Sequence, residues 1–517
     1  MTEKRAFTRP VWAACLVTTV GLIAGCQTVG PEFVKPEAET PTEWSDAAVG
    51  RFQTAPQEMI EWWRLFEDPT LDQLVEQARA QNNNIEIAAL RVLESQALLG
   101  IATGLKYPQA QAAAGDASWV SPPNNSVIQS NYWSYTLGAG VSWEIDFWGR
   151  YRRGIESAEA AFQASIAAYD QAMVLVTAAV VENYIIIRTL QEQLRIAREN
   201  LKIQQRSYEI TEVLFSNGAD SELDMQQANT LLLATQATIP SLEAALRQAE
   251  NAMATLLGTL PGSLGTLLDE PAQIPQLPNS IAIGFPADML RRRPDVRQSE
   301  LIAMAQNAQI GLAKADLYPS FSLSGSIGLS AGGPGDSSFG DLFSTDALGV
   351  SIGPSFVWPF LNYGRIKNNV RVQDARLQQA LVNYRETVLQ AAREAEDAIA
   401  GYGGASDQAR ILEQTVASAR RSNELSTLRY QEGFSDYQRV LDSQQALFTQ
   451  QQRHITARGD AVRSLVALYK ALGGGWEGRD GLPYLDDETR QLMQERTDWG
   501  DMLEAAYPDP AGQPEQD

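Results

Sequence analysis

The clearest pattern in the chain is a period-two alternation of large apolar and small polar residues. From Tyr132 to Ile145 one face carries Trp133, Tyr135, Leu137, Ala139, Val141, Trp143 and Ile145. The other carries Tyr132, Ser134, Thr136, Gly138, Gly140, Ser142 and Glu144. Further along, Phe321, Leu323, Ile327 and Leu329 alternate with Ser322, Ser324, Ser326 and Gly328. Leu348, Val350, Ile352, Phe356 and Trp358 do the same with Gly349, Ser351, Gly353 and Ser355. A fourth stretch, near Gln109 to Val120, is Ala-rich and alternates less cleanly. Strands of about 10 residues with aromatics near their ends fit the staves of a transmembrane barrel. A soluble antiparallel sheet with one wet face would alternate in the same way, so the period alone leaves both readings open. The small, uncharged polar face favours the membrane.

Between these stretches the chain reads as helix. No proline occurs between Trp148 and Ile239, nor between Phe360 and Leu482, and both segments are rich in Ala, Gln, Leu, Glu and Arg. These are good helix formers. Arg150 to Ser216 predicts one helix of about 67 residues, roughly 100 Å long and too long for a compact domain. Ala158, Ala160, Ala161, Ala164, Ala167 and Ala168 would let neighbouring rods pack closely, as in a coiled coil. Pro240 is expected to kink the helix that follows, and Gly401, Gly403 and Gly404 to weaken the matching region of the second half.

The order helix, two strands, very long helix, helix occurs twice. Trp148-Gly149-Arg150 answers Tyr363-Gly364-Arg365, Gly218 answers Gly433, and Leu256-Leu257-Gly258 answers Ala471-Leu472-Gly473, all at a separation of 215 residues. Tyr107-Pro108 and Tyr318-Pro319 match a few residues out of step. So long a period means a duplicated domain rather than a solenoid. A Pro-rich stretch from Pro261 to Pro286 joins the halves.

The N-terminus changes the picture. Lys4, Arg5 and Arg9 precede an apolar run from Val11 to Ile23, which is too short to span a bilayer and suits a signal peptide. It ends in Leu22-Ile23-Ala24-Gly25-Cys26, which resembles a bacterial lipobox. Cys26 would then become the mature N-terminus, carrying diacylglycerol and an amide-linked acyl chain such as palmitate. An ordinary signal peptide with an incidental Cys is the alternative. Gln27 in place of Asp favours the outer membrane by analogy with lipoprotein sorting. The only other cysteine, Cys15, lies in the removed segment, so neither a disulfide nor a thiolate-metal site is expected.

Charge and chemistry exclude more than they add. The chain has 517 residues, with 41 Lys+Arg against 63 Asp+Glu and a net charge of -22, which argues against a nucleic-acid partner. No phosphate loop or nucleophile–base pairing survives the helical assignment, no cofactor or metal is expected, and an enzyme is not predicted. His454, the only histidine, is expected at the surface, and Arg291-Arg292-Arg293 at a helix terminus tied by salt bridges.

Four strands cannot close a barrel, and open edges are not tolerated in lipid. Known bacterial barrels begin at about eight strands, so several chains must share one. A hollow tube across a membrane, continued by long rods, implies conduction.

Three motifs then carry a resemblance over nearly the whole chain, from Cys26 to about Gly474. They are Trp62-Trp63-Arg64-Leu65-Phe66-Glu67-Asp68-Pro69 with Leu71 and Leu74; Phe285-Pro286-Ala287-Asp288-Met289-Leu290-Arg291-Arg292-Arg293-Pro294-Asp295-Val296-Arg297 with Glu300; and Val440-Leu441-Asp442. The second stands before an Asn307–Lys314 helix and Leu317-Tyr318-Pro319. On these residues the chain resembles the TolC-like outer membrane factors, in the NodT-type lipoprotein branch that serves resistance-nodulation-division (RND) efflux pumps. The resemblance implies a mainly α fold with transmembrane β. Three copies would form a twelve-stranded β-barrel continuous with a long periplasmic twelve-helix α-barrel. Expected partners are two further copies, a periplasmic adaptor (membrane fusion protein), an inner-membrane RND pump and outer-membrane lipid.

The expected organisation is a signal peptide (1–25), a lipidated extended segment (26–68), a first efflux repeat (69–258, strands about 109–120 and 131–145), a linker (259–285), a second repeat (286–474, strands about 320–330 and 347–358) and an acidic tail (475–517) lying loose on the outside. Gly218 and Gly433 are expected at the hairpin turns of the periplasmic mouth and are candidates for adaptor contact. By the family match Asp442 falls on a lumenal acidic position and Tyr430 on a tyrosine linking neighbouring helices in the closed state. Gln438 and Gln445 occupy constriction positions, and Arg439 replaces an aspartate found in some members, which puts the usual lock in doubt. Asp220 and Asp224, with Glu222, would add negative potential at the first turn. A solvated helix charge is the alternative for Asp442, and helix capping for Asp220 and Asp224. Type I secretion, a poreless coiled-coil adaptor and a lipid-anchored hydrolase are the rival functions.

Overall fold

The computed structural model describes residues 28–37, 41, 43–44, 52–54, 59–123, 130–264, 268, 273–278, 281–283, 286–333, 338–477 and 483–504. Cys15, Cys26 and the signal peptide therefore lie outside the described residues, as do Pro508, Pro510 and Pro514 of the tail. In chain order the elements are β1 (Phe52–Thr54), α1 (Pro69–Gln81), α2 (Asn83–Gly104), β2 (Ala110–Val120), β3 (Tyr132–Ile145), α3 (Arg150–Ser216), α4 (Glu222–Leu256), β4 (Ile281–Ile283), α5 (Pro286–Arg292), α6 (Pro294–Ala315), β5 (Ser320–Gly332), β6 (Leu348–Val357), α7 (Arg365–Gln431), α8 (Gln438–Ala471) and α9 (Asp487–Arg496). The chain divides into two compact units. One takes its described residues from Met1–Glu37, Leu93–Ser165 and Gln298–Tyr384, the other from Ala38–Val92, Ile166–Arg297 and Arg385–Asp517.

The long helices α3 and α7 have 67 residues each, and α4 and α8 have 35 and 34. Both long helices follow a glycine in the left-handed region, Gly149 (φ 75°) and Gly364 (φ 82°). The carboxylate of Asp146 accepts from the backbone N–H groups of Tyr151 (3.1 Å) and Arg152 (3.0 Å), satisfying donors that the first turn of α3 leaves free. By composition α3 is long and apolar enough to cross a membrane, yet most of its apolar window is buried within the chain. Val174, Val180, Val181, Ile185 and Ile187 belong to the core. α4 is assigned without a break through Pro240. The three glycines Gly401, Gly403 and Gly404 fall in α7 rather than α8, and α7 continues through them. The expected match to Pro240 is therefore wrong: buried Ile455 stands at the corresponding place in α8.

The first unit holds an antiparallel sheet in the order β2-β3-β5-β6. Its register sorts the side chains cleanly. Rows such as Leu137–Leu329–Leu348 and Ala139–Ile327–Val350 form one face, and Gly138–Gly328–Gly349 and Gly140–Ser326–Ser351 the other. The apolar face is bare: Trp133, Leu137, Val141, Ile327, Val350, Ile352 and Phe356 are all exposed. On the small face Ser142 and Ser324 hydroxyls bond across strands at 3.1 Å. Aromatics gather at both strand ends. At the loop end Trp119, Trp133, Tyr135 and Phe339 form a chain of ring contacts 5.4–6.0 Å apart. At the helix end Trp148 stacks on Tyr318 at 4.5 Å, and its indole N–H donates to the Pro319 carbonyl.

An extended strap, residues 28–37, is pinned in the same unit. The Val29 N–H donates to the Trp148 carbonyl (3.0 Å), Arg153 bonds to the Val29 carbonyl and to Glu32, and Asn307 donates to the Pro31 carbonyl.

In the second unit the aromatic motif forms an anchor. Trp62 stacks on Tyr469 at 5.1 Å, Trp63 is buried beneath the Arg79 guanidinium, and Asp68 caps α1 while accepting from the Tyr184 hydroxyl. Burial and that carboxylate push the Tyr184 phenol well above its ordinary value. Arg293, between α5 and α6, is 5% exposed and bonds Asp295 (2.7 Å), Glu394 (2.8 Å) and the Ala471 carbonyl (2.7 Å). The basic run is a structural tie. The segment after Gly475 is not loose where it is described. Asp486 caps α9, Tyr484 packs edge-on against Tyr169, Leu485, Met493 and Leu503 are buried, and Thr489 donates to Glu86. Four apolar anchors in an acidic stretch suffice to dock it. The linker also packs: β4 pairs in parallel with β1, and the Leu268 carbonyl accepts from Gln191.

Candidate functional site

The two helix–helix turns have one construction. Gly218 (φ 70°) donates to the Phe215 carbonyl at 2.9 Å, and Ala219 to that of Leu214 at 2.8 Å. Gly433 (φ 76°) donates to Tyr430 at 2.9 Å, and Phe434 to Arg429 at 2.8 Å. This crossed pair of bonds closes a helix on a left-handed glycine. Phe434, Leu223 and Val213 stand exposed around the turns.

Past the first turn, Ser221 caps α4 by accepting from the Asp224 N–H, and its hydroxyl donates back to the Asp224 carboxylate at 2.5 Å. The Ser221 N–H donates to Asp220 at 2.9 Å. Both aspartates thus take part in starting the helix. Tyr430, at the end of α7, stands beside Asp220, and its ring meets that of Tyr437 at 4.9 Å. Burial raises the Asp220 carboxyl above its ordinary value, Asp224 raises it further, and the Ser221 N–H opposes. Burial and then the two aspartates raise the Tyr430 phenol. Asp442 is exposed one turn along α8 and accepts from Gln438 at 2.8 Å. Arg439 and Gln445 are exposed, and neither side chain has a bond among the described residues.

The fold therefore brings Tyr430, Asp220 and Asp224 together, and separately Gln438 and Asp442. Sequence reading missed Tyr437, which is buried with Ala228, Val440 and Leu441 beneath Tyr430. Its spacing of seven from Tyr430, across a turn, was the only available signal. His454 is half-buried rather than at the surface, and burial, then Arg458, pushes its pKa down. No group of acidic, His or Cys side chains fit for a metal ion occurs among the described residues.

A scan of protein families matches the outer membrane efflux protein family over residues 74–259 and 285–474. The chain belongs to the outer membrane efflux protein family. Nodulation protein T of Rhizobium leguminosarum bv. trifolii is 31% identical over 457 residues, covering 88% of this chain and 96% of its own. The pyoverdine export outer membrane protein OpmQ of Pseudomonas putida is 30% identical over 476 residues, covering 90% and 97%. Among solved structures, the outer-membrane channel OprN superposes with a TM-score of 0.81 at 33% identity, covering 87% of this chain and all of that one. The chain is thus an outer-membrane channel of a tripartite efflux pump in a Gram-negative bacterium, with a periplasmic extension. Its relatives are channel proteins of efflux systems rather than enzymes.

Proposed function

We propose that three copies of this internally duplicated chain close a twelve-stranded barrel continuous with a twelve-helix periplasmic barrel, and that this trimer is the passive exit duct for cargo delivered by an RND-type pump and a periplasmic adaptor. One observation carries the reading. The four-stranded sheet presents an exposed apolar face while β2 and β6 remain unpaired edges. Unpaired backbone groups in hydrocarbon cost several kcal/mol each, so about 10 residues of open edge must be covered by another strand. Pairing β6 of one copy with β2 of the next removes every edge. The duplication is supported by the left-handed glycines Gly149/Gly364, Gly218/Gly433 and Gly258/Gly473, all 215 residues apart.

Cys26 is the lipidated N-terminus in this reading, and no other cofactor is needed. The strap supports it, because Val29 is held at Trp148, beside the aromatic cluster at the helix end of the strands. Acyl chains on Cys26 would enter the leaflet at that level. The turns at Gly218 and Gly433 form the inner mouth and meet the adaptor. There Asp220, Asp224, Tyr430, Gln438, Arg439, Asp442 and Gln445 set the resistance, with Asp442 projecting charge into the opening.

The test is the mass of the detergent-solubilised protein together with its conductance in planar bilayers. Trimers that conduct, with Asp442→Ala raising conductance, are the expected result. A monodisperse monomer that is stable without detergent would overturn the proposal, and unchanged single-channel behaviour in Asp442→Ala would remove that residue from the gate.

A further inference from the structure

We infer that Asp116 makes the outer bore of the channel cation-selective, so that the duct favours cationic and neutral cargo over anionic cargo. The inference rests on the barrel reading above and extends it to a part of the molecule far in sequence from the helix turns. Of all residues in β2, β3, β5 and β6, only Asp116 and Glu144 carry a formal charge. Glu144 stands at the helix end with Arg150 at 3.5 Å. Asp116 stands well inside β2, paired with Thr136, which in turn pairs with Ser330.

Register fixes its face. Thr136 shares a side of β3 with Gly138, Gly140 and Ser142, opposite Leu137, Val141 and Trp143. A hollow of about 790 Å³ lies over this small face, and Ala110, Ala112 and Ala114, which share the Asp116 side of β2, line it. The hollowed side of a curved sheet becomes the interior when the sheet closes. Asp116 therefore points to the bore, where water solvates it at little cost.

Its carboxylate is exposed and makes no hydrogen bond or ion pair among the described residues. Aspartate is disfavoured in strands, so neither strand propensity nor a local bond accounts for it. In the trimer three copies lie at one height on a wall that, between its end residues Val120, Tyr132, Glu144 and Val357, is otherwise built of Gly, Ala, Ser and Thr. With no other fixed charge along the described strands there, the ring sets the sign of the potential over about 8 Å at physiological salt. Fixed acidic rings attract cations and repel anions.

The test uses full-length trimers in planar bilayers under a KCl gradient. Wild type should prefer K⁺ to Cl⁻, Asp116→Asn should lower that permeability ratio by about twofold or more, and Asp116→Lys should shift it towards Cl⁻. Identical reversal potentials in a conducting wild type and both variants would overturn the inference while leaving the channel reading intact. A wild type that neither assembles nor conducts would instead sink the channel reading. If Asp116→Asn fails to form trimers, the residue is structural and the inference is likewise overturned. Cysteine substitution checks the face independently. Asp116→Cys should react with a membrane-impermeant methanethiosulfonate in bilayers and Ala117→Cys should not, whereas equal reactivity would refute the assignment to the bore.

Discussion

Gly30 lies so close to Gly311 that a methyl group on Gly30 would come within 2.5 Å of the Gly311 Cα. Two bare backbones meet there, which lets the strap seat against α6 while Arg153 reaches over it to Glu32. A Cβ on Gly311 would stand 2.8 Å from both the Val29 carbonyl oxygen and the Arg153 side chain. Gly311→Ala should therefore displace the strap at a cost of about 1–3 kcal/mol, the usual penalty of overpacking. Limited proteolysis within residues 28–37 reads this directly. Cleavage at the wild-type rate would mean that the glycine contact does not hold the strap.

Arg293 offers a contrasting case, in which charge rather than shape does the holding. It is buried, it pairs with two carboxylates, and it donates to a carbonyl at the end of α8. Arg293→Ala leaves Asp295 and Glu394 without their cation and should cost about 3–5 kcal/mol. Arg293→Lys should recover only part, since an ammonium lacks the planar fork that serves three acceptors at once. Thermal denaturation of the purified protein measures both. A lysine variant as stable as wild type would show that the fork is not needed.

The glycines at helix ends share a backbone conformation but differ in surroundings. A methyl group added at Gly218 or Gly433 would meet nothing within 4 Å, whereas at Gly258 the Gln81 carbonyl oxygen would be too close for any side chain. Gly218→Ala should cost only the left-handed penalty of about 1–2 kcal/mol. Gly258→Ala adds a clash with rigid backbone and should cost several kcal/mol in total, roughly the sum of both effects. The melting temperatures of the two variants should rank in that order, and equal losses would refute the steric account.

Much of this architecture was legible because its signals are local. Trp133 to Ile145 alternates strictly, and a proline-free run with glycines at Gly149 and Gly218 marks the ends of α3. Arg293 could be read as a structural tie because Pro294-Asp295 follows it. The strap and the docked segment at Tyr484 were not legible, since each depends on contacts distant in sequence: Gly30 with Gly311, and Tyr484 with Tyr169. At the candidate gate, residue types pointed to Asp220 and Tyr430 separately. Their contact, and the buried Tyr437 under it, needed two turns 215 residues apart to be brought together.

The pairing of Asp220 with Asp224 makes this helix turn sensitive to acid. The Asp220 carboxyl is raised above the ordinary aspartate value of 3.8, first by burial and then by Asp224. A raised carboxyl binds its proton more tightly in the folded tip than in the unfolded one. Its contribution to stability is therefore complete below the ordinary value and is lost as pH rises through the raised one. The turn should tighten on acidification, because a neutral Asp220 is buried at less cost and no longer repels Asp224. Amide exchange across residues 214–224, corrected for intrinsic rates, should show protection growing as pH falls from about 7 to about 4. Asp220→Asn should flatten the profile, since it removes the titrating group yet keeps the shape. Tyr430→Phe should lower protection at every pH and leave most of the slope, because burial and Asp224 still act. A wild-type profile as flat as that of Asp220→Asn would show that the turn does not respond through this pair.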